Sequence, residues 1–213
     1  HLKGFEALGV NIQYENGCYI LDAKELKGTN IFLDISSVGA TINIMMAAVY
    51  AKGRTVIENA AREPEIIDIA TLLNKMGARI HGMGTSTLVI DGVEYLKGCI
   101  HEIIPDRIEA ATYVIMAAAM ANDMRIENII PQHLEAIVMK LQEVGINMEV
   151  GSDFIHVLKT DKPLKRTEIL TKPYPGFATD VQQPFTVLLT QCEGHSVVPE
   201  TILNPSSFKV LQR

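Results

Sequence analysis

Three stretches of this chain repeat one another. LGVNI from Leu8, MGARI from Met76 and VGINM from Val144 each begin 68 residues after the one before. A repeat of that length is one supersecondary unit, which buries its apolar face only by stacking on neighbouring copies. The copies also calibrate one another. Where one departs from its siblings, chemistry explains the departure better than folding does.

The unit can be written out. Residues 64–76 carry Ile66, Ile69, Ala70, Leu73 and Met76 on one helical face, and Leu134, Ile137, Val138, Leu141 and Val144 repeat those steps 68 residues on. Such a stripe predicts an amphipathic helix, opened by Pro64 or Pro131 and stopped by Gly77 or Gly145. Leu2, Phe5 and Leu8 carry the register back to the start, so HLKGFEALG reads as helix rather than leader. Two short alternating runs follow each helix (VNIQY and CYILD, ARIHG and STLVIDG, INMEV and FIHVL) and predict antiparallel strand pairs. LKGTNIFLD, LKGCIHEII and LKRTEILTK then predict a third strand, and Ser37, Asp106 or Asp180 opens a second helix. That second helix is nearly all apolar (TINIMMAAVYA, ATYVIMAAAMA), and the strand after it is RTVIEN, MRIEN or HSVVPE. The repeated β-α-β-α-β-β order predicts an α/β fold with sheets outside and helices packed inside. No GxGxxG or GxxxxGK loop is present, so dinucleotide-binding and P-loop readings lack support.

Bulk properties exclude several classes. A net charge of −6 and a pI near 5.5 argue against non-specific binding of nucleic acid or anionic membranes. No apolar run approaches the roughly 18 residues of a membrane span. Cys18, Cys99 and Cys192 are odd in number and far apart, without metal-ligand spacing. They are expected as buried or semi-buried thiols in a reducing cytoplasm, with no metal and no cofactor.

The copies differ most between the third strand and the second helix. Leu26 to Ser37 takes 11 residues and Leu96 to Asp106 takes 10, but Leu164 to Asp180 takes 16. The extra sequence, Pro173-Tyr174-Pro175-Gly176-Phe177-Ala178-Thr179, predicts an ordered, stiff loop ending on Asp180. Either Asp180 is simply an N-cap, as Ser37 and Asp106 are, or the loop holds a working carboxylate still. Ser36, Ser37, Val38, Gly39, Ala40 and Thr41 put hydroxyls and a glycine at a helix start. That is either a tightly packed cap or an anion site where a ligand approaches the backbone. In AAREPE, Glu63 and Glu65 suit the first turn of a helix, while Arg62 either pairs with them or faces a ligand.

At SSVGATINIMMAA, VIENAAREPEIIDIATLLNKMGARI, IIPDRIEAATY and PGFATDVQQPFTVLL the chain resembles the UDP-N-acetylglucosamine enolpyruvyl transferases, bacterial enzymes that begin peptidoglycan precursor synthesis. The likeness runs from His1 to about Ile202. It implies two inside-out α/β domains, barrel-like, each of three βαβαββ units around buried helices. The crossover falls near Pro105, making 1–104 part of the UDP-sugar-side domain and 105–213 part of the second. It also implies two small-molecule substrates, UDP-N-acetylglucosamine and phosphoenolpyruvate. By resemblance Asp180 is the base for the sugar hydroxyl, Ser37, Val38 and Gly39 bind the UDP portion, and the backbone of Ile202 touches the nucleotide sugar.

The departures matter as much. The family's cysteine-bearing loop, its phosphoenolpyruvate-binding lysine and asparagine, and its phosphate-facing arginine have no counterpart here. Ile35 stands where many relatives have lysine, and Asn204 to Arg213 do not fit the family's Asn-Arg-Phe segment. The chain is therefore expected to be an incomplete piece that folds in part, binds nucleotide sugar weakly and does not turn over. The alternatives are a shikimate-pathway enolpyruvyl transferase and a non-catalytic scaffold on the same repeat.

Overall fold

Helix starts and stops follow the local chemistry of the repeat. A computed structural model of the chain describes residues 1–120, 123–199, 201–202 and 207–210, the last four through their backbone alone. Asn204 to Arg213 thus lie outside the described residues, apart from the backbone of a strand at Ser207–Val210. The chain divides into two compact units, His1–Ile104 and Pro105–Arg213.

The first unit contains α1 (Leu2–Ala7), the hairpin β1 (Asn11–Glu15) and β2 (Cys18–Asp22), β3 (Asn30–Phe32), α2 (Val38–Ala48), β4 (Arg54–Glu58), α3 (Pro64–Met76), β5 (Arg79–His81) and β6 (Thr87–Asp91). Asn16 and Gly17, both at positive φ, make the two-residue turn between β1 and β2. Proline opens α3 and Gly77, at φ 110°, ends it in the left-handed conformation, with the Ala78 N–H donating to the Leu73 carbonyl at 2.9 Å. One residue from α3 then fixes the next strand. The Asn74 side chain donates to the Ile80 carbonyl (2.9 Å) and accepts from the Ile80 N–H (2.8 Å), clasping β5. The sheet order is β3-β4-β6-β5, with β3 parallel to β4 and both other pairings antiparallel. Against it lies α2, which also touches α1 and α3. Ile44, Met45, Ile57, Ile66, Leu88 and Ile90 form the sealed centre of this core.

The second unit repeats the plan with α4 (Arg107–Ala119), β7 (Met124–Glu127), a 3-10 turn at Pro131–Leu134 leading into α5 (Glu135–Val144), β8 (Met148–Val150), β9 (Phe154–Val157), α6 (Gln182–Leu189), β10 (Ser196–Pro199) and β11 (Ser207–Val210). Its sheet runs β7-β9-β8, all antiparallel, and β10 pairs antiparallel with β11. Here α4 is the inner helix, in contact with α5, α6, β7 and β9. Sheets outside and helices inside describe each unit. Among the described residues no helix is long and apolar enough to cross a membrane.

Two expectations need correction. The third strand is full only in the first copy. In the last copy residues 165–171 make isolated parallel bridges, Lys165 to Glu193 and Glu168 to Val197, and among the described residues LKGCIHEII forms no strand. That middle segment closes the first unit while the helix it precedes belongs to the second. It is instead tied down on α3, by the Lys97 N–H to the Met76 carbonyl (2.9 Å) and by His101 Nε2 against Asp68 Oδ1 (2.9 Å). Second, Cys18 and Cys99 are exposed, one on the open hairpin and one on this tether. Only Cys192 is buried, and burial pushes its thiol up. On the inner helices, Met46 of α2 and Tyr113 and Met116 of α4 are partly exposed.

Helix contact in the first unit depends on a missing side chain. A methyl at Gly4 would overlap Cγ1 and Cδ1 of Ile44, which is fully buried and has nowhere to retreat. Gly4→Ala is expected to lower stability by about 1–3 kcal/mol in urea unfolding. Gly98→Ala, with open space around it, is expected to change it by less than about 0.5 kcal/mol. On the sheet surface, Arg54 Nε and Nη2 grip both oxygens of Asp91 at 2.8 and 3.1 Å. This hydrogen bonding, with the guanidinium charge, holds the Asp91 carboxyl below its ordinary value. The folded value lies below the unfolded one, so the stabilisation is fully present above about pH 4 and fades as pH falls through the folded value. The difference in urea midpoint between the parent and Asp91→Asn is therefore expected at neutral pH and should vanish in strong acid.

Candidate functional site

Two places set aside from the repeat's regularity carry the candidate residues. The first is the bend at residues 35–39. Ser37 is extended (φ −100°, ψ 125°) and its Oγ accepts from the Ala40 N–H at 3.3 Å, capping α2. Its neighbours bolt the bend to the segment after β4. Ser36 Oγ donates to the Ala60 carbonyl (3.3 Å), and the buried Thr41 Oγ1 accepts from the Ala61 N–H (3.0 Å). Asn59, at φ 56°, donates to the Leu33 carbonyl at 2.8 Å. Within this frame the N–H groups of Val38 and Gly39 are the first of α2 and have no acceptor inside the helix. A methyl on Gly39 would come near only the His1 ring (3.2 Å to Nε2), so the backbone there can be approached. Ile35, beside the bend, is exposed, and so is Arg62. Glu63 is buried, with Oε2 hydrogen-bonded to nothing among the described residues.

The second place is the long loop before α6. The Lys172 N–H donates to the Phe177 carbonyl and the Gly176 N–H to the Pro173 carbonyl, both at 2.9 Å, around a cis Tyr174–Pro175 bond. Phe177 is buried edge-on against Phe185 of α6, ring centres 5.4 Å apart and planes at 84°. The Arg107 guanidinium at the start of α4 lies 5.7 Å from the centre of the Tyr174 ring. Thr201 Oγ1 donates to the Thr171 carbonyl at 2.5 Å, and the Thr201 N–H donates to Thr171 Oγ1 at 3.0 Å. This clasp holds the segment bearing Ile202 against the stem of the loop that ends on Asp180.

Asp180 itself caps nothing. It lies inside a 3-10 turn, Thr179–Val181, whose N-cap is Ala178, and α6 starts only at Gln182 without a side-chain cap. Its carboxylate is exposed and makes no hydrogen bond or ion pair among the described residues. Asp106 behaves differently, accepting from the Ile108 and Glu109 N–H groups at 2.8 and 3.3 Å. The cap reading of Asp180 is therefore set aside. Cys192 and the exposed His195 form no reactive pair, because the thiol is sealed and its pKa raised.

Ser37, Val38 and Gly39 belong to the first unit, Asp180 and Ile202 to the second. Sequence reasoning missed the Phe177–Phe185 stack and the Thr171–Thr201 clasp. The clasp spans 30 residues and leaves no local signal. The stack had one, since Phe177 is an apolar residue inside an otherwise turn-forming loop.

The caps separate by stability. Asp106→Ala and Ser37→Ala are each expected to cost about 1 kcal/mol in thermal or urea unfolding. Asp180→Ala is expected to stay within about 0.5 kcal/mol of the parent. A cost at Asp180 equal to that at Asp106 would restore the cap reading.

The chain is similar to several known proteins. The chain is 59% identical over 209 residues to UDP-N-acetylglucosamine 1-carboxyvinyltransferase 2 of Listeria monocytogenes serotype 4b (strain F2365), covering 98% of this chain and 49% of the relative. It is 60% identical over 202 residues to the protein of the same name from Geobacillus kaustophilus (strain HTA426), covering 95% and 47%. The chain thus spans about half the length of the curated relatives it matches. Among solved structures, the enolpyruvyl transferase NikO from Streptomyces tendae matches with a TM-score of 0.85 at 24% identity, over 96% of this chain and 52% of that one. EPSP synthase from Acinetobacter baumannii matches with a TM-score of 0.62 at 21% identity, over 93% and 47%. At those identities the likenesses establish the fold, that of the enolpyruvyl transferases. Residues 1–206 also match the family model described as EPSP synthase (3-phosphoshikimate 1-carboxyvinyltransferase), and the chain belongs to that family.

Proposed function

We propose that this chain carries the nucleotide-sugar bend and the general base of an enzyme that moves the enolpyruvyl group of phosphoenolpyruvate onto the 3-hydroxyl of UDP-N-acetylglucosamine, releasing phosphate. That reaction is the first committed step of peptidoglycan precursor synthesis. Two relatives that are 59% and 60% identical bear the name UDP-N-acetylglucosamine 1-carboxyvinyltransferase 2, which favours this acceptor over a shikimate phosphate. The observation that carries the mechanistic part is the uncommitted carboxylate of Asp180 at the end of an internally braced loop.

A carboxylate with no cap to satisfy can accept a proton from a hydroxyl brought within hydrogen-bond reach. As the sugar O–H bond breaks toward Asp180, its oxygen bonds the central carbon of phosphoenolpyruvate while an acid protonates the methylene carbon. Loss of a proton from that carbon and of phosphate from the central one then restores the double bond. Holding Asp180 still keeps base and hydroxyl in register without reorganisation. In the same reading the Val38 and Gly39 N–H groups and the positive end of α2 suit the diphosphate, with Ser37 fixing the bend. The backbone of Ile202 borders the nucleotide sugar, held near the loop by Thr201.

In a chain of the relatives' full length, Asp180→Asn is expected to lower kcat by about 10²–10⁴-fold with KM for UDP-N-acetylglucosamine little changed. Unchanged turnover would remove the base assignment and favour a non-catalytic scaffold. In calorimetric titrations of the 213-residue chain, heat is expected with UDP-N-acetylglucosamine. Heat with shikimate 3-phosphate alone would reassign the acceptor.

A further inference from the structure

The first and last copies of the repeat carry cations at one shared place, neutralised in the first and not in the last. A glycine in the left-handed conformation marks it, Gly53 at φ 95° in the first copy and Gly194 at φ 91° in the last. Each glycine follows a parallel bridge, Lys27 to Lys52 in the one and Lys165 to Glu193 in the other. Lys165 therefore corresponds to Lys27, Arg166 to Gly28 and His195 to Arg54.

In the first copy the charges are answered. Lys52 pairs with Glu25, and Arg54 Nε holds Asp91 Oδ1 at 2.8 Å. No side chain fits at Gly28, where a methyl would overlap the Arg54 backbone. In the last copy Pro163 stands at the position of Glu25, and Arg166 at that of Gly28. Lys159 is taken by Asp161 at 3.1 Å, but Lys162, Lys165 and Arg166 are exposed and make no ion pair among the described residues. The Arg166 stem lies over Gly194, where a methyl would sit 3.2 Å from Cδ. Lys165, Arg166, Glu193, Gly194 and His195 line an open pocket of about 560 Å³. That volume is inside the roughly 300–1,000 Å³ range of small-molecule sites. Glu193 is the one carboxylate among these lining residues, and it faces an ammonium, a guanidinium and an imidazole. The Gly194 N–H donates to no acceptor among the described residues.

We propose that this pocket binds the phosphate group of a small molecule. Lys165 and Arg166 supply the positive charge, and His195 and the Gly194 N–H are further donors. A guanidinium presents two parallel N–H groups to phosphate oxygens, and an ammonium adds a compact charge. The chain's net charge of −6 disfavours long polyanions, so a local hollow of cations suits a small anion better than nucleic acid or an anionic membrane. The site is separate from Asp180. That carboxylate precedes α6 and the pocket follows it, and the 8 residues of the helix span about 12 Å. Free phosphate and a phosphate ester offer the same oxygens to these groups.

The test is an NMR titration of the isotope-labelled 213-residue chain, following the Gly194 and His195 amides and the Arg166 Nε–H. One arm uses inorganic phosphate and the other methyl phosphate, at an ionic strength held constant with sodium chloride. Saturable shifts are expected with a midpoint of about 1–10 mM, the strength of two charge-assisted hydrogen bonds. Lys165→Gln combined with Arg166→Gln is expected to raise that midpoint at least about tenfold. Lys159→Gln, whose ammonium is already paired, is expected to leave it within about twofold. A lower midpoint for methyl phosphate assigns the pocket to an ester, and a lower one for inorganic phosphate assigns it to the free ion. Shifts that do not saturate, shifts absent from Gly194 and His195, or an unchanged midpoint in the doubly substituted chain would each overturn the proposal.

Discussion

An apolar helix that must be covered by its own repeat is the constraint from which the other features follow. α2 and α4 are built from alanine, methionine and β-branched residues with few charges, so each has more than one face to bury. Small residues at Ala48, Ala111, Ala117 and Ala118 are sealed, as is Gly4 where α1 meets Ile44, and they let neighbouring elements come close. The sheet supplies one wall and the amphipathic helices supply others. What remains exposed on α2 and α4 marks the sides on which neither has a neighbour within its own unit.

The candidate site uses the positions where that constraint is slack. At the start of each inner helix a side chain must satisfy the first N–H groups, and Ser37 and Asp106 do so. In the last copy a short 3-10 turn takes over the helix entry, which releases Asp180 from capping. The same substitution of one local solution for another leaves a carboxylate where the repeat otherwise consumes it. The bend at Ser37 is different in kind. It keeps its cap and gains hydroxyl anchors on both sides, so that two backbone donors sit in a rigid frame.

Much of this was legible in the residues. The amphipathic helices, the antiparallel hairpins and the glycine stops at Gly77 and Gly145 follow from periodicity and backbone preference, both local properties. The inner helices were legible from composition alone. Third strands were not, because a parallel strand depends on a partner edge far along the chain. LKGCIHEII has the right residues but is taken up in tethering α3. Cysteine burial was misjudged at Cys18 for the same reason, since hairpin exposure depends on what covers it. At the site, the loop's order could be inferred from its prolines, whereas the Thr171–Thr201 clasp joins residues too distant for any pattern to link.

The edge-on contact between Phe177 and Phe185 has a consequence for evolution. Phe185 lies on the helix that Asp180 introduces, so the loop's inner anchor and its terminal carboxylate ride on one rigid body. Neither can drift without the other. Selection on the interior of α6 therefore acts on the placement of an acidic oxygen at the surface, and changes in hydrophobic residues there would be inherited as changes in chemistry.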